Sequence, residues 1–167
     1  AAAAAHPVAP PSAKRPRCEE QSTSCMFAER DGGASDDLAR IAPVLGQLRP
    51  QYTPEQLRDA VVHQQSLDYR LAFVEDDDGQ VLSVAGFVIV HKLAWGRSLY
   101  VDDLVTSASA RSTGAGRCLM DWLKAYARDA DCRQLHLDSG VQRFDAHRFY
   151  LREGFRIASH HFSLDLD

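Results

Sequence analysis

The chain has 167 residues, 45% of them hydrophobic and 25% charged, with a net charge of −4, the composition of an ordinary soluble globular protein. That length suits one domain with a tail rather than two independent cores, and no apolar run approaches the roughly 18–20 residues that a membrane-crossing helix needs. The first residues also lack the continuous apolar core of a secretory signal, so the expectation is an intracellular protein, cytoplasmic or nuclear, that makes no membrane contact.

Residues 1–22 combine an alanine run, four prolines and a basic cluster without hydrophobic periodicity, and read as a disordered tail. The cluster Lys14, Arg15 and Arg17 has two readings, a nuclear-import signal or a solvated tail. These three are the only charged residues of 1–17, so the net charge of −4 deepens to −7 for residues 18–167. Such an acidic body argues against nucleic acid as a direct ligand.

Residues 23–167 read as a single domain. A strand is expected around 24–29, then a helix in which Leu38, Ile41, Leu45 and Leu48 recur at three- and four-residue steps before Pro50. Thr53 as N-cap and Pro54 at the first helical position start a second helix, striped by Leu57, Ala60 and Val61. "YRLAFVE" and "VLSVAGFVIVHK" form a hairpin across "DDDGQ", and "RSLYVDDLVTS" a third strand after "AWG". A helix carrying Leu119, Leu123, Tyr126 and Ala127 follows, then the strand "RQLHLDS", the short helix "AHRFYLRE" closed by Gly154, and a final strand "FRIASHHFSLDL". This order predicts an α/β fold, a mixed central sheet with helices on both faces. Strands 98–106 and 134–139 run parallel through a right-handed crossover.

Cys18, Cys25, Cys118 and Cys132 form no CxxC pair and are expected to be reduced thiols, Cys118 in a packing role. The pairs His160–His161 and His136–Asp138 lack partners at recognised ligand spacing, and no metal site is assigned.

"ARSTGAGRCLM", residues 110–120, joins the third strand to the long helix. The plainer role of Gly114 and Gly116 is to permit that turn. The other is to let an anion such as a pyrophosphate approach the free N–H groups and partial positive charge of a helix start. The order of glycines is not that of a dinucleotide-binding fingerprint, and Arg117 stands where a Walker loop needs its Gly-Lys-Ser/Thr.

"RSTGAG" resembles the R/Q-x-x-G-x-G/A signature of the GNAT superfamily of N-acetyltransferases, and "AHRFYLREGF" looks like its A-x-x-x-Y-x-x-x-G-F segment. The resemblance extends in element order from about residue 24 to residue 166. It implies acetyl-coenzyme A as donor and an amine as acceptor, either a small molecule, slightly favoured, or a protein lysine. It also implies that Leu104, Val105 and Thr106 lie along the pantetheine arm, and that Arg111, Ser112, Thr113, Gly114, Ala115, Gly116 and Arg117 enclose the pyrophosphate. Many relatives carry Asn where this chain has Arg143, so side-chain contacts of that Asn are not transferred.

Acetyl transfer needs a neutral amine, and deprotonating an amine of lysine-like pKa costs about 4–5 kcal/mol at pH 7. Asp102 and Asp103 are the nearest candidate bases, but adjacent strand residues face opposite sides unless the strand is distorted. By resemblance Asp102, nine residues before Arg111, faces the acceptor, with Asp103 as backup. Asp102 could instead be a solvated or salt-bridged carboxylate. Tyr150 occupies the position of the family tyrosine that protonates the departing thiolate, and its alternative is aromatic packing beside Phe149. A catalytically silent acyl-coenzyme A sensor is the competing class of function.

Overall fold

The computed structural model describes residues 23–28 and 34–166. The tail and its basic cluster lie outside the described residues. The elements are β1 (Thr23–Ala28), α1 (Ala34–Leu45), α2 (Pro54–Ser66), β2 (Arg70–Asp76), β3 (Val81–Lys92), β4 (Gly96–Thr106), α3 (Ala115–Asp129), β5 (Gln134–Leu137) and α4 (Phe144–Arg152). The strands form one five-stranded sheet in the order β1-β2-β3-β4-β5. β1 to β4 are antiparallel neighbours, and β5 runs parallel to β4 after the α3 crossover, as the sequence pattern implies.

Two core layers follow from the two-residue alternation of the strands. Leu71, Phe73 and Val84 face α1 and α2, meeting Leu38, Ile41, Leu45, Leu57 and Val61. Ala72, Val74, Ala85 and Phe87 face the other way, onto Leu119, Trp122, Leu123 and Tyr126 of α3. α2 starts as its residues dictate: Thr53 accepts from the Gln56 N–H and the Gln56 side chain accepts from the Thr53 N–H, a reciprocal capping box ahead of Pro54. α1 ends at Leu45, before Leu48, whose N–H bonds to the Leu45 carbonyl in a turn.

Two expectations are corrected. Residues 155–166 form no strand: beyond Phe155 the chain is exposed, including Ile157, Phe162, Leu164 and Leu166. Alternating apolar residues give a strand only where an edge receives them, and β5 is only four residues long. Cys118 is buried in α3 and disulfide-bonded, not a reduced thiol, whereas Cys132 is free. The side chains of Cys18 and Cys25 lie outside the described residues. No helix among the described residues is long and apolar enough to cross a membrane.

Candidate active site

The sheet is distorted where the sequence places its candidate bases. On β3, Gly86 pairs with Asp103 but the next residue, Phe87, pairs with Val101, so Asp102 is an extra residue in β4, a β-bulge. The extra residue exchanges the two faces of the strand. Before it, Leu99 and Val101 face α3; after it, Val105 joins the layer beneath α1 and α2, while Leu104 packs on the α3 side. Asp103 consequently points the same way as Val105, and Asp102 is exposed.

The parallel pairing of β4 with β5 stops at Val101–Leu137. Beyond that rung β5 ends, and the backbone of residues 102–106 is paired only on its β3 side among the described residues. Leu104 and Val105 turn their side chains into the two core layers, which leaves this segment's backbone edge as what it can offer a ligand.

The strand leads into the loop whose glycines raised two readings, and each glycine has its own cause. Gly114 caps α3 at φ +92°, in the left-handed region, with open space where a Cβ would stand. Gly116 lies against β4: a Cβ there would come within 2.9 Å of Thr106 Oγ1. Ser112 is also left-handed, at φ +64°, and Thr113 Oγ1 donates to the Ala110 carbonyl at 2.7 Å, tightening the turn. The helix ladder begins with the Cys118 N–H on the Gly114 carbonyl, so the N–H groups of Ala115, Gly116 and Arg117 have no carbonyl one turn back. Arg111 and Arg117 are exposed beside them, Arg117 held only loosely, 4.0 Å from Asp121. The combination is a cradle with positive charge, free donors and no side chain over Gly114, which suits a pyrophosphate.

α4 closes the other side. Phe149 Cζ lies 3.9 Å from the position of a Cβ on Gly116, and Lys124 Nζ of α3 meets Glu153 at 2.9 Å. Tyr150 is half-buried between Phe149 and Phe155, with ring centroids 5.6 and 5.8 Å away, and its hydroxyl has no hydrogen-bond partner among the described residues. Burial raises its pKa, an effect that the Arg143 charge partly offsets, so the phenol holds its proton. Ser139, just past β5, has a buried hydroxyl with no partner among the described residues, an unmet polar group in the same region of the sheet.

The two aspartates have different surroundings. Asp103 is buried, and both its oxygens are engaged: Arg49 Nε donates to one at 2.7 Å and the Tyr69 hydroxyl to the other at 2.7 Å. Asp103 thus sits in a salt bridge with Arg49. Asp102 makes no such pair, and its pKa is raised by partial burial and by the neighbouring Asp103 and Asp138 charges, with Arg49 opposing. Asp138 accepts from the Tyr100 hydroxyl and meets His161 Nδ1 at 3.2 Å. His136 stacks on Trp95 at 3.8 Å. No three His, Cys, Asp or Glu residues are gathered for a metal among the described residues.

The sequence reading did not find Arg49, Tyr69, Ser139 or the Tyr100–Asp138 pair. Gly86 is tied to the first two, because a Cβ on it would lie 1.6 Å from the Tyr69 hydroxyl oxygen and 2.2 Å from Cζ. Gly86→Ala therefore forces Tyr69 out and leaves Asp103 with one partner. The expected loss is about 3 kcal/mol, from overpacking and a broken charged hydrogen bond. A thermal melt reads this as a fall of roughly 6–12 °C for a domain of this size.

Residues 40–155 match the family model described as the acetyltransferase (GNAT) family. The chain belongs to this family. It is 34% identical over 136 residues to the uncharacterized N-acetyltransferase YhdJ of Bacillus subtilis, a match covering 77% of this chain and 92% of that protein. It is 31% identical over 91 residues to the aminoalkylphosphonate N-acetyltransferase of Salmonella typhimurium, covering 54% of this chain and 58% of the relative. Among solved structures, AAC(6')-Iy in complex with the bisubstrate analog CoA-S-monomethyl-acetylneamine aligns at a TM-score of 0.72 with 12% identity. That alignment covers 87% of this chain and 98% of the other, and the likeness is one of fold. The chain is thus a GNAT N-acetyltransferase, from a family that uses acetyl-coenzyme A.

Proposed function

We propose that this GNAT protein acetylates the primary amine of a small molecule by direct attack on acetyl-coenzyme A in a ternary complex. The observation that carries the reading is the end of the β4–β5 pairing at Val101, just before Asp102. There a one-sided strand edge runs into the α3 cradle, with α4 packed alongside.

The coenzyme supplies an activated acetyl thioester; the protein's part is to hold and orient it. In this reading, N–H groups of Ala115, Gly116 and Arg117, with Arg111, Ser112, Thr113 and Gly114, surround the pyrophosphate. The free backbone edge of Leu104, Val105 and Thr106 bonds the pantetheine amides, with the unmet Ser139 hydroxyl available to the same arm. A backbone N–H of that edge faces the thioester oxygen and stabilises negative charge as it develops. Asp102 accepts the ammonium proton, directly or through water. Its raised pKa brings it nearer to that of the amine, which lowers the cost of the transfer. Tyr150 donates its retained proton to the departing sulfur.

A small acceptor is favoured by the relative named for aminoalkylphosphonates, and the adjacent Asp102 and Asp138 favour an amine arriving as a cation. The test is free-thiol release from acetyl-coenzyme A over a panel of aminoalkylphosphonates, polyamines, aminoglycosides and histone peptides. Turnover with small amines at a kcat/KM at least about a hundredfold above that for any peptide is the expected outcome, in the ordinary range of enzyme discrimination. Preference for the peptides would make the protein a lysine acetyltransferase. Donor binding without turnover on any amine would make it a sensor.

A further inference from the structure

The α1–α2 loop reaches β4 at both ends of the one-sided edge. Gln47 Oε1 accepts from the Ala108 N–H at 2.9 Å, just past the strand. Arg49 donates from Nε to Asp103 at 2.7 Å and from Nη2 to the Asp102 carbonyl at 3.3 Å. Arg49 therefore grips the bulge by the backbone of its extra residue and the side chain of the next. From inside the core, Tyr69, 5% exposed, bonds the second Asp103 oxygen, in space that exists only because residue 86 lacks a Cβ.

We propose that Arg49 is a positioning residue for acetyl transfer, one that clamps the Asp102 bulge through Asp103 and Tyr69 and so fixes the reacting edge of β4. The proposal rests on the reading of Asp102 as the acceptor's base. A bulge is a place where pairing can slip by one residue, and a slip here would carry Asp103 to the opposite face. The clamp opposes this because a buried carboxylate that loses a partner is strongly disfavoured. The same contact brings a positive charge beside Asp102. Facing Asp102 are the charges of Asp103, Asp138 and Arg49, with the neutral phenols of Tyr69 and Tyr100 close by. Arg49 is the cation of that group, so removing it leaves two like charges unopposed and moves the Asp102 titration upward.

The test reads the titration of the Asp102 carboxyl carbon by NMR, assigned through Asp102→Asn, together with amide hydrogen exchange at residues 102–104. In Arg49→Gln the midpoint should rise by about half a pH unit or more, as for loss of a nearby opposite charge. The three amides should exchange about tenfold faster, the effect of one ordinary buried hydrogen bond. Arg49→Lys keeps the charge but not the two-pronged grip, and should hold the midpoint near wild type while exchange still quickens. An unchanged midpoint in Arg49→Gln, or unchanged exchange, overturns the clamp. Should that variant not fold, Tyr69→Phe, which keeps the ring beside Gly86 and removes the hydroxyl, must quicken the same amides, and wild-type rates there overturn it equally. Failure of the base reading shows separately: Asp102→Asn would keep full turnover on the amine that the panel selects, whatever the NMR data show.

Discussion

Replacing Gly114 and Gly116 together by valine is expected to weaken acetyl-coenzyme A binding by more than about a hundredfold, or roughly 3 kcal/mol. The two positions fail for different reasons. Gly114 has φ +92°, and a β-branched residue there costs at least 1–2 kcal/mol of backbone strain, by the usual penalty for left-handed L-residues. If the residue stays in place, its methyl groups fill the open space above the free N–H groups of α3. At Gly116 the added Cβ meets Thr106 Oγ1 at 2.9 Å, so helix and strand must separate just where the loop takes its shape. Thr106 is itself held by Ser83 Oγ at 3.1 Å and cannot turn aside without losing that contact. Single variants separate the two causes by calorimetry. Gly116→Ala should be rescued by Thr106→Ala, which removes the opposing atom, whereas Gly114→Ala should not. Micromolar binding retained by the double valine variant would show that the loop is only a turn.

The parts of this protein that were legible in the sequence are those set by local rules. Thr53 and Pro54 announce α2 because a helix start is satisfied by residues within one turn of it. The strand, glycine loop and helix around residue 114 are likewise contiguous in the chain, as is the alternation of β2 and β3. What stayed hidden depends on distant partners. Arg49 and Tyr69 lie 54 and 34 residues from Asp103, and nothing in "QLRPQY" or "LDYRLAF" signals a shared carboxylate. The bulge at Asp102 exists through pairing with Gly86 and Phe87, so the residues "VDD" alone left the orientation of the two acids undecided. Residues 155–166 show the reverse error, a strand-like alternation that no sheet edge receives. The disulfide at Cys118 is likewise not announced by the spacing of the cysteines in the chain.

Tyr150→Phe should lower kcat by about a hundredfold while leaving acetyl-coenzyme A affinity within about twofold, the pattern of a lost general acid rather than a lost binding contact. The variant is clean because the hydroxyl has no hydrogen-bond partner to abandon among the described residues, and the contacts with Phe149 and Phe155 belong to the ring. Burial raises the Tyr150 pKa above its usual value of about 10, so the acid form persists through neutral and moderately alkaline solution, and no loss of rate from its ionisation is expected below about pH 10. The same desolvation raises the affinity of a departing thiolate for a proton, which offsets the weaker acidity of the buried phenol. In the proposed mechanism the acid limb belongs to Asp102: its raised pKa shifts the pH at which it becomes a base upward, and rate is lost as pH falls through that value. Removing the phenol should therefore lower the whole profile without moving its acid limb. A steady-state pH series with parallel calorimetry reads both quantities, and a kcat equal to wild type would reduce Tyr150 to an aromatic spacer between α4 and the sheet.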